Sequence, residues 1–326
     1  MSAAAPPPVF LALLGPTASG KTALSLALAR RLGGEIISMD SRQVYRGMDI
    51  GTAKATPAER AGVPHHGLDL VDPDERYSAG RFARDARVWV AGIRARGHVP
   101  MVVGGTGFFL RALTDPIFSE PAMDPGKREA LRRYLAGQPR EQLERWVRVL
   151  DPARAPVAVG GGAHRMGRTL EVALLTGRTL SHWHRTAGPD GEGVRGMVVR
   201  LDLPREEMDR RIDARSRAMV ESGLIDEVRG LLERGYDARC PGMTGTGYRE
   251  VVRHLEGHST REQAIDEIAA ATRRYARRQV TWLRHQLPVD TVSVDAMMPV
   301  DRQVERVAGA WRERAGAATN MDEVGG

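Results

Sequence analysis

The sequence predicts an α/β fold: a parallel sheet wrapped by helices around a phosphate loop, with an inserted all-helical domain. Three observations carry this. Apolar runs suited to buried strands alternate with helical patterns in the first third of the chain. One of those runs feeds GPTASGKT, which has the G-x-x-x-x-G-K-T spacing, and a helical pattern follows it. From about residue 114 to 199 the periodicity is helical throughout, with no strand pattern.

Residues 9–14 form a short apolar run closed by Gly15, a buried strand, and residues 22–31 place Leu24, Leu26, Ala27 and Leu28 at helical spacing. EIISMDS is a second strand ending near Asp40, and VPMVVGG a third ending near Gly104. Ligands of such sheets sit at the carboxyl ends of the strands, so Gly15, Asp40 and Gly104 can share one crevice. In the insertion, MDPGKREALRRYLAGQPREQLERWVRVLDP offers Leu131, Leu135, Leu143, Trp146 and Leu150 as core positions, and HRMGRTLEVALLTG is a further helix. GMVVRLDLP returns a strand to the core. A helix, a break at Gly223 and a second helix follow. The last long helix opens with Ser259-x-x-Glu262, a capping-box spacing, and stops before Pro288. The expected organisation is a catalytic core of residues 1–113 and 200–290, an insertion of 114–199, and a C-terminal helix with a disordered tail over 291–326.

Composition bounds the function. The 326 residues are 42 % hydrophobic, enough for a substantial core. A single cysteine, Cys240, excludes an internal disulfide and a cysteine-based zinc site, as suits a reducing cytosol. The N-terminus lacks early Lys or Arg and its apolar run is short, so it reads as the approach to a strand and not as a signal peptide. No run approaches membrane-spanning length, and a cytoplasmic location is expected. Net charge is +7, yet only Lys21, Lys54 and Lys127 among the 48 basic residues are lysines. The basic excess lies in the body of the chain. Residues 287–326 carry four arginines against seven carboxylates, so the tail is no basic arm.

The phosphate loop comprises Gly15, Pro16, Thr17, Ala18, Ser19, Gly20, Lys21 and Thr22. Its glycines let backbone N–H groups converge on phosphate oxygens, Lys21 adds a point charge, and the Thr22 hydroxyl suits Mg²⁺. The helix N-terminus favours an anion there. ATPases of this kind also carry a strand-terminal carboxylate for the metal. VVGGTG has Thr106 in that region instead. Asp40 suits a general base at the crevice or a turn cap. Arg211 and Arg215 share a helix face, as a solvated charge stripe or an anion clamp. Arg273, Arg274, Arg277, Arg278 and Arg284 line the last long helix, as an outer face or a phosphate-facing wall.

GPTASGKT, SMDSRQVYRGMDIGTAK, YSAGRFARDA, PMVVGGTGFF and RRQVTWLR occur in this order and spacing, so that the chain resembles the bacterial tRNA dimethylallyltransferase family from the phosphate loop to about residue 287. The resemblance implies a P-loop NTPase-like core with a helical insertion. It also implies transfer of a dimethylallyl group from dimethylallyl diphosphate to N6 of adenosine 37, beside the tRNA anticodon, with Mg²⁺ as cofactor. It implies that the loop holds the diphosphate, that Asp40 accepts the amine proton, that Thr106 sits beside the reacting groups and that Arg215 clamps the diphosphate. The tRNA contacts it implies are Asp40, Ser41, Arg42 and Gln43; Thr106; Arg128; His164, Arg165, Met166, Gly167 and Arg168; and Thr244, Gly245, Thr246, Gly247, Tyr248 and Arg249. Tyr248 suits a core position as well as a stacking platform.

The sequence departs from the family pattern at Phe109, where tyrosine is common, and at Gly245 and Thr246, where bulkier residues are usual. No Cys/His cluster marks a zinc-finger extension, and the adjacent His65 and His66 read as structural. The anticodon stem-loop and dimethylallyl diphosphate are the expected partners of a monomer that does not engage membranes. Three readings compete: an adenylate isopentenyltransferase, a small-molecule kinase using ATP in the same loop, and a non-catalytic RNA-binding module. The insertion of about 85 residues and its basic balance favour RNA over a free nucleotide. VVGGTG and the lack of an arginine-rich lid argue against the kinase. A binding module leaves the phosphate loop unexplained.

Overall fold

Six strands pair into one sheet: β1 (Phe10–Leu14), β2 (Gly34–Ser38), β3 (His65–His66), β4 (Val99–Gly104), β5 (Gly196–Asp202) and β6 (Val292–Asp295). The computed structural model describes residues 8–316. The spatial order is β3-β2-β4-β1-β5-β6, with every pair parallel, so all carboxyl ends lie on one edge. β1 is central and wholly buried, with Leu11 opposite both Met101 and Met197. Strands buried on both faces need continuous apolar runs, which is why β1, β4 and β5 are legible in the sequence. The short β3 and β6 escape such a reading.

The helices of the core are α1 (Lys21–Leu32), α2 (Pro57–Gly62), α3 (Ala79–Ala95) and α4 (Gly107–Thr114). Next come α5 (Pro125–Ala136), α6 (Arg140–Leu150), α7 (Ala155–Gly160), α8 (Gly162–Thr176) and α9 (Leu180–Thr186). The chain then returns through α10 (Arg205–Glu221), α11 (Leu224–Glu233), α12 (Tyr248–Leu255), α13 (Arg261–Gln286) and α14 (Val300–Gly316). Two compact units result: residues 1–115 with 193–326, and residues 116–192. In the first, Leu24 and Leu28 of α1 join Val307, Ala308 and Trp311 of α14 in one apolar cluster on the sheet. β6 and α14 therefore belong to the packing of the core, which the sequence reading closed at residue 290. The tail expected to be disordered lies, from residue 317, outside the described residues.

Two local expectations shift. The cap of α13 is Thr260, whose hydroxyl accepts from Gln263 N–H at 3.2 Å while Gln263 accepts from Thr260 N–H at 2.8 Å. The box is thus one residue later than Ser259 and Glu262. In the second unit Leu135, Leu143 and Val147 are buried with Met166 and Leu170, but Leu150 ends its helix and faces outward.

A second apolar cluster fixes the long connection after β2. Val44, Tyr45 and Met48 pack with Leu224, Val228 and Tyr248. Polar locks complete it. Glu227 accepts from the backbone N–H groups of Asp49, Ile50 and Gly51, at 2.8, 2.7 and 3.2 Å, and from the Tyr248 hydroxyl at 2.6 Å. The buried Lys54 ammonium donates to Tyr45 O, Asp49 and Asp69. Replacing the carboxylate as Glu227→Ala strands four donors, each bond to a charged acceptor contributing about 1.5–3 kcal/mol. We expect urea denaturation to show at least about 2 kcal/mol lost; a loss within about 0.5 kcal/mol would remove Glu227 from this role.

Candidate active site

The site forms where β1, β2 and β4 end. After β1 the chain turns through Ala18, at φ 64°, and Gly20, at φ 87°, before α1 begins. The left-handed values bend the backbone into a loop that ends at the N-terminus of α1. Lys21 Nζ donates to Gly15 O at 2.9 Å and Pro16 O at 2.6 Å, holding the loop from within. Burial and the neighbouring Arg215 charge lower the Lys21 pKa to about 7, with Asp40 opposing them.

β2 exits through Met39, whose N–H donates to Val103 O at 2.7 Å. A Cβ at Gly104 would lie 2.1 Å from Met39 O, so the crossing needs glycine there. Asp40 follows directly. Its Oδ1 accepts from Arg42 N–H at 2.8 Å, a turn bond. Its Oδ2 makes no hydrogen bond among the described residues. Asp40 thus caps a turn with one oxygen and keeps the other for the crevice, so the two sequence readings of this residue are compatible.

Two cavities meet at Asp40. One, of about 330 Å³, is lined by Thr17, Ala18, Ser19, Gly20, Lys21 and Thr22 together with Gln43, Arg211 and Arg215. The other, of about 300 Å³, is lined by Ser41, Arg42, Thr244, Thr246, Gly247 and Arg249 among others. Asp40, Thr17, Thr52, Arg215 and Tyr275 border both. Arg215 makes no hydrogen bond among the described residues. Burial lowers its pKa and the Asp40 charge raises it. The first cavity is thus lined by three cations, Lys21, Arg215 and an Arg211 paired with Glu207, beside a helix N-terminus and the Asp40 carboxylate, a setting for a polyanion.

A divalent metal fits this donor set only with help from a ligand. The Thr22 hydroxyl and the Asp40 carboxylate face one cavity. No group of three or more His, Cys, Asp or Glu among the described residues could hold a metal alone. Mg²⁺ suits such a site because it keeps waters and binds phosphate oxygens alongside one or two protein groups.

The structure sorts the other predicted residues. Thr106 caps α4 and lines neither cavity; its neighbour Gly105 lines the first. The Thr106 hydroxyl accepts from Ser41 N–H at 3.3 Å and pairs with the Tyr275 hydroxyl. Tyr248 is buried, its hydroxyl spent on Glu227, and Gly245 is buried too, so neither presents a surface for stacking or contact. In the second unit Met166 is fully buried, whereas His164 and Arg165 are exposed. Arg128 and Arg168 spend their guanidiniums on Glu171 and Glu120. Burial opposes ionisation of Glu171, but Arg132, Arg128 and Arg168 hold its pKa below the usual range. The arginines of α13 form no single wall. Arg273 pairs with Asp213, Arg278 borders the second cavity, and Arg284 borders a separate one at the ends of β5 and β6.

Sequence reading missed Tyr275 and Gln279, one helical turn apart on α13 and both in the first cavity. Burial, then the Asp40 charge, push the Tyr275 hydroxyl up to about 12 despite the Thr106 bond. The i, i+4 spacing of two polar groups on an otherwise apolar face was the available signal; the neighbouring arginines obscured it.

The chain is similar to known proteins over most of its length. The profile of the IPP transferase family matches residues 43–286, and that of isopentenyl transferase matches residues 9–69. A tRNA dimethylallyltransferase of Anaeromyxobacter sp. (strain K) is 48 % identical over 277 residues, covering 85 % of this chain and 90 % of that protein. One from Roseiflexus castenholzii is 46 % identical over 288 residues, covering 88 % and 93 %. The crystal structure of the tRNA isopentenylpyrophosphate transferase of Bacillus halodurans superposes with a TM-score of 0.70 at 34 % identity, covering 96 % of this chain and 99 % of that one. A eukaryotic dimethylallyltransferase acting on tRNA gives 0.73 at 26 % identity, covering 95 % and 77 %. A phosphate loop and a strand-end aspartate shared between two cavities, on a chain this similar throughout, place the protein in the IPP transferase family, the family of the tRNA dimethylallyltransferases.

Proposed function

We propose that the protein transfers a dimethylallyl group from dimethylallyl diphosphate to N6 of adenosine 37 in the anticodon stem-loop of tRNA, releasing diphosphate. The observation that carries this reading is the position of Asp40 between a phosphate-loop cavity and a second, separately lined cavity. The first takes the donor diphosphate. The second takes the adenine, extracted from its stack as enzymes acting on a base require.

In the transfer, adenine N6 attacks C1 of the dimethylallyl group. The C1–O bond breaks and its electron pair leaves with the diphosphate. The proton lost by N6 passes to the free Oδ2 of Asp40, the general base. Within the loop the Thr17 N–H is held by Gln279 and the Ser19 N–H by Pro16 O, so the N–H groups of Ala18, Gly20, Lys21 and Thr22, with the Lys21 and Arg215 side chains, are the donors for the oxygens on which charge develops. Mg²⁺ bound through Thr22 and the diphosphate would add Lewis-acid stabilisation of the leaving group. Ser41, Arg42, Thr244, Thr246 and Arg249 form the acceptor wall nearest the base. Exposed His164 and Arg165 supply RNA contacts from the inserted unit. Among the described residues, no helix is long and apolar enough to cross a membrane.

A free adenosine nucleotide is the second acceptor to consider, because an adenine without a tRNA attached could enter the second cavity as well. Incubation with labelled dimethylallyl diphosphate, Mg²⁺ and either tRNA or AMP separates the two. Label is expected in tRNA and not in tRNA carrying guanosine at position 37. Label in AMP, or ATP turnover without transfer, would overturn the proposal.

Lys21 makes the donor step sensitive to pH. Its folded pKa of about 7 leaves the free site largely neutral at pH 8, whereas a bound diphosphate favours the ammonium. Calorimetry at pH 8 in buffers of different ionisation enthalpy should show uptake of about one proton per donor bound. Lys21→Met should show none and bind the donor far more weakly while retaining tRNA affinity. Equal proton uptake in both proteins would remove Lys21 from the diphosphate.

A further inference from the structure

Gln279 touches both halves of the site. Its Oε1 accepts from Thr17 N–H at 2.9 Å, and its Nε2 donates to Gly105 O at 3.0 Å. The side chain is only 7 % exposed. Thr17 opens the donor loop and borders both cavities. Gly105 follows β4 and precedes Thr106, whose hydroxyl holds Ser41 N–H next to Asp40. One primary amide thus joins the loop that faces the leaving group to the turn that supports the base.

The fit is specific. The two bonds need a donor and an acceptor on one uncharged group, which a primary amide provides. A Cβ at Gly105 would fall 2.1 Å from Gln279 Nε2, so the glycine leaves room for the amide. Three residues along the same helix, the Trp282 ring lies 2.2 Å from where a Cβ at Gly107 would sit. α13 therefore grips this turn twice. Its other polar group toward the crevice, Tyr275, pairs with the Thr106 hydroxyl.

We propose that Gln279 is a positioning residue that sets the separation between the diphosphate loop and the segment bearing Asp40. The inference rests on the proposed function and extends it to a residue that touches neither the migrating carbon nor the proton. In-line transfer requires the reacting atoms about 3–3.5 Å apart, and a misplacement of about 1 Å costs about 10²-fold. Loss of the bridge should thus appear in kcat and not in substrate affinity.

Gln279→Met keeps the length and removes both bonds; Gly105→Ala keeps the amide but displaces it. In transfer assays saturating in both substrates, each variant should lower kcat about 10²-fold, with Kd values for dimethylallyl diphosphate and tRNA within about threefold of wild type. Because both changes break one bridge, the double variant should be no slower than the slower single one. A wild-type kcat in Gln279→Met, or in Gly105→Ala if the first does not fold, overturns the inference. So does a loss confined to donor affinity, or multiplicative losses in the double variant. An inactive wild type in the same assay overturns the proposed function and this inference with it. An active wild type beside unchanged variants overturns the inference alone.

Discussion

The site depends on how closely the chain leaving β2 passes over the end of β4. Met39 O lies where a side chain at residue 104 would be, and Met39 N–H is bonded to Val103 O. No bulkier residue permits that crossing. It delivers Asp40 to the carboxyl edge of the sheet, beside the loop that follows β1. The parallel sheet brings strand ends together in general; the backbone contact at Gly104 decides which side chain stands at the centre. The Arg42 N–H then holds one Asp40 oxygen, and the Thr106 hydroxyl holds the N–H of Ser41, the next residue.

Charge is distributed to match. Lys21 and Arg215 converge on the first cavity with only Asp40 against them. Each cation is weakened by burial, which disfavours it until an anion arrives. Such a charge arrangement favours an anion more as its charge grows, the condition that differential stabilisation of the proposed leaving diphosphate requires. The second cavity is bordered by Arg42, Arg249 and Arg278 but also by Thr244, Thr246 and Met219, a mixed surface suited to a base with its attached backbone.

Much of this was legible from residues alone. The phosphate loop announces itself by spacing, and β1, β4 and β5 by uninterrupted apolar runs. Asp40 could be placed at a strand end, although only the structure shows one oxygen capping the turn and the other free. Burial decided what pattern could not. Tyr248 and Met166 sit in motifs that suggest RNA contact, yet their side chains complete cores. Arg128 and Arg168 look like free cations in a one-dimensional reading, yet both are committed to Glu171, one turn along the helix from Arg168 but on a different helix from Arg128. Tyr275 and Gln279 show in the sequence only as an i, i+4 polar pair among arginines; the Gln279 partners, Thr17 and Gly105, lie far away in the chain, where no local period reaches.

In the proposed mechanism Asp40 removes the amine proton while other groups bind the substrates. Single-turnover transfer by Asp40→Asn, with tRNA affinity measured on the same protein, separates these roles. The expected rate is reduced roughly 10²–10⁴-fold, the usual scale for a lost general base, with tRNA affinity close to wild type. A rate near wild type would contradict it, as would a loss explained by tRNA affinity alone.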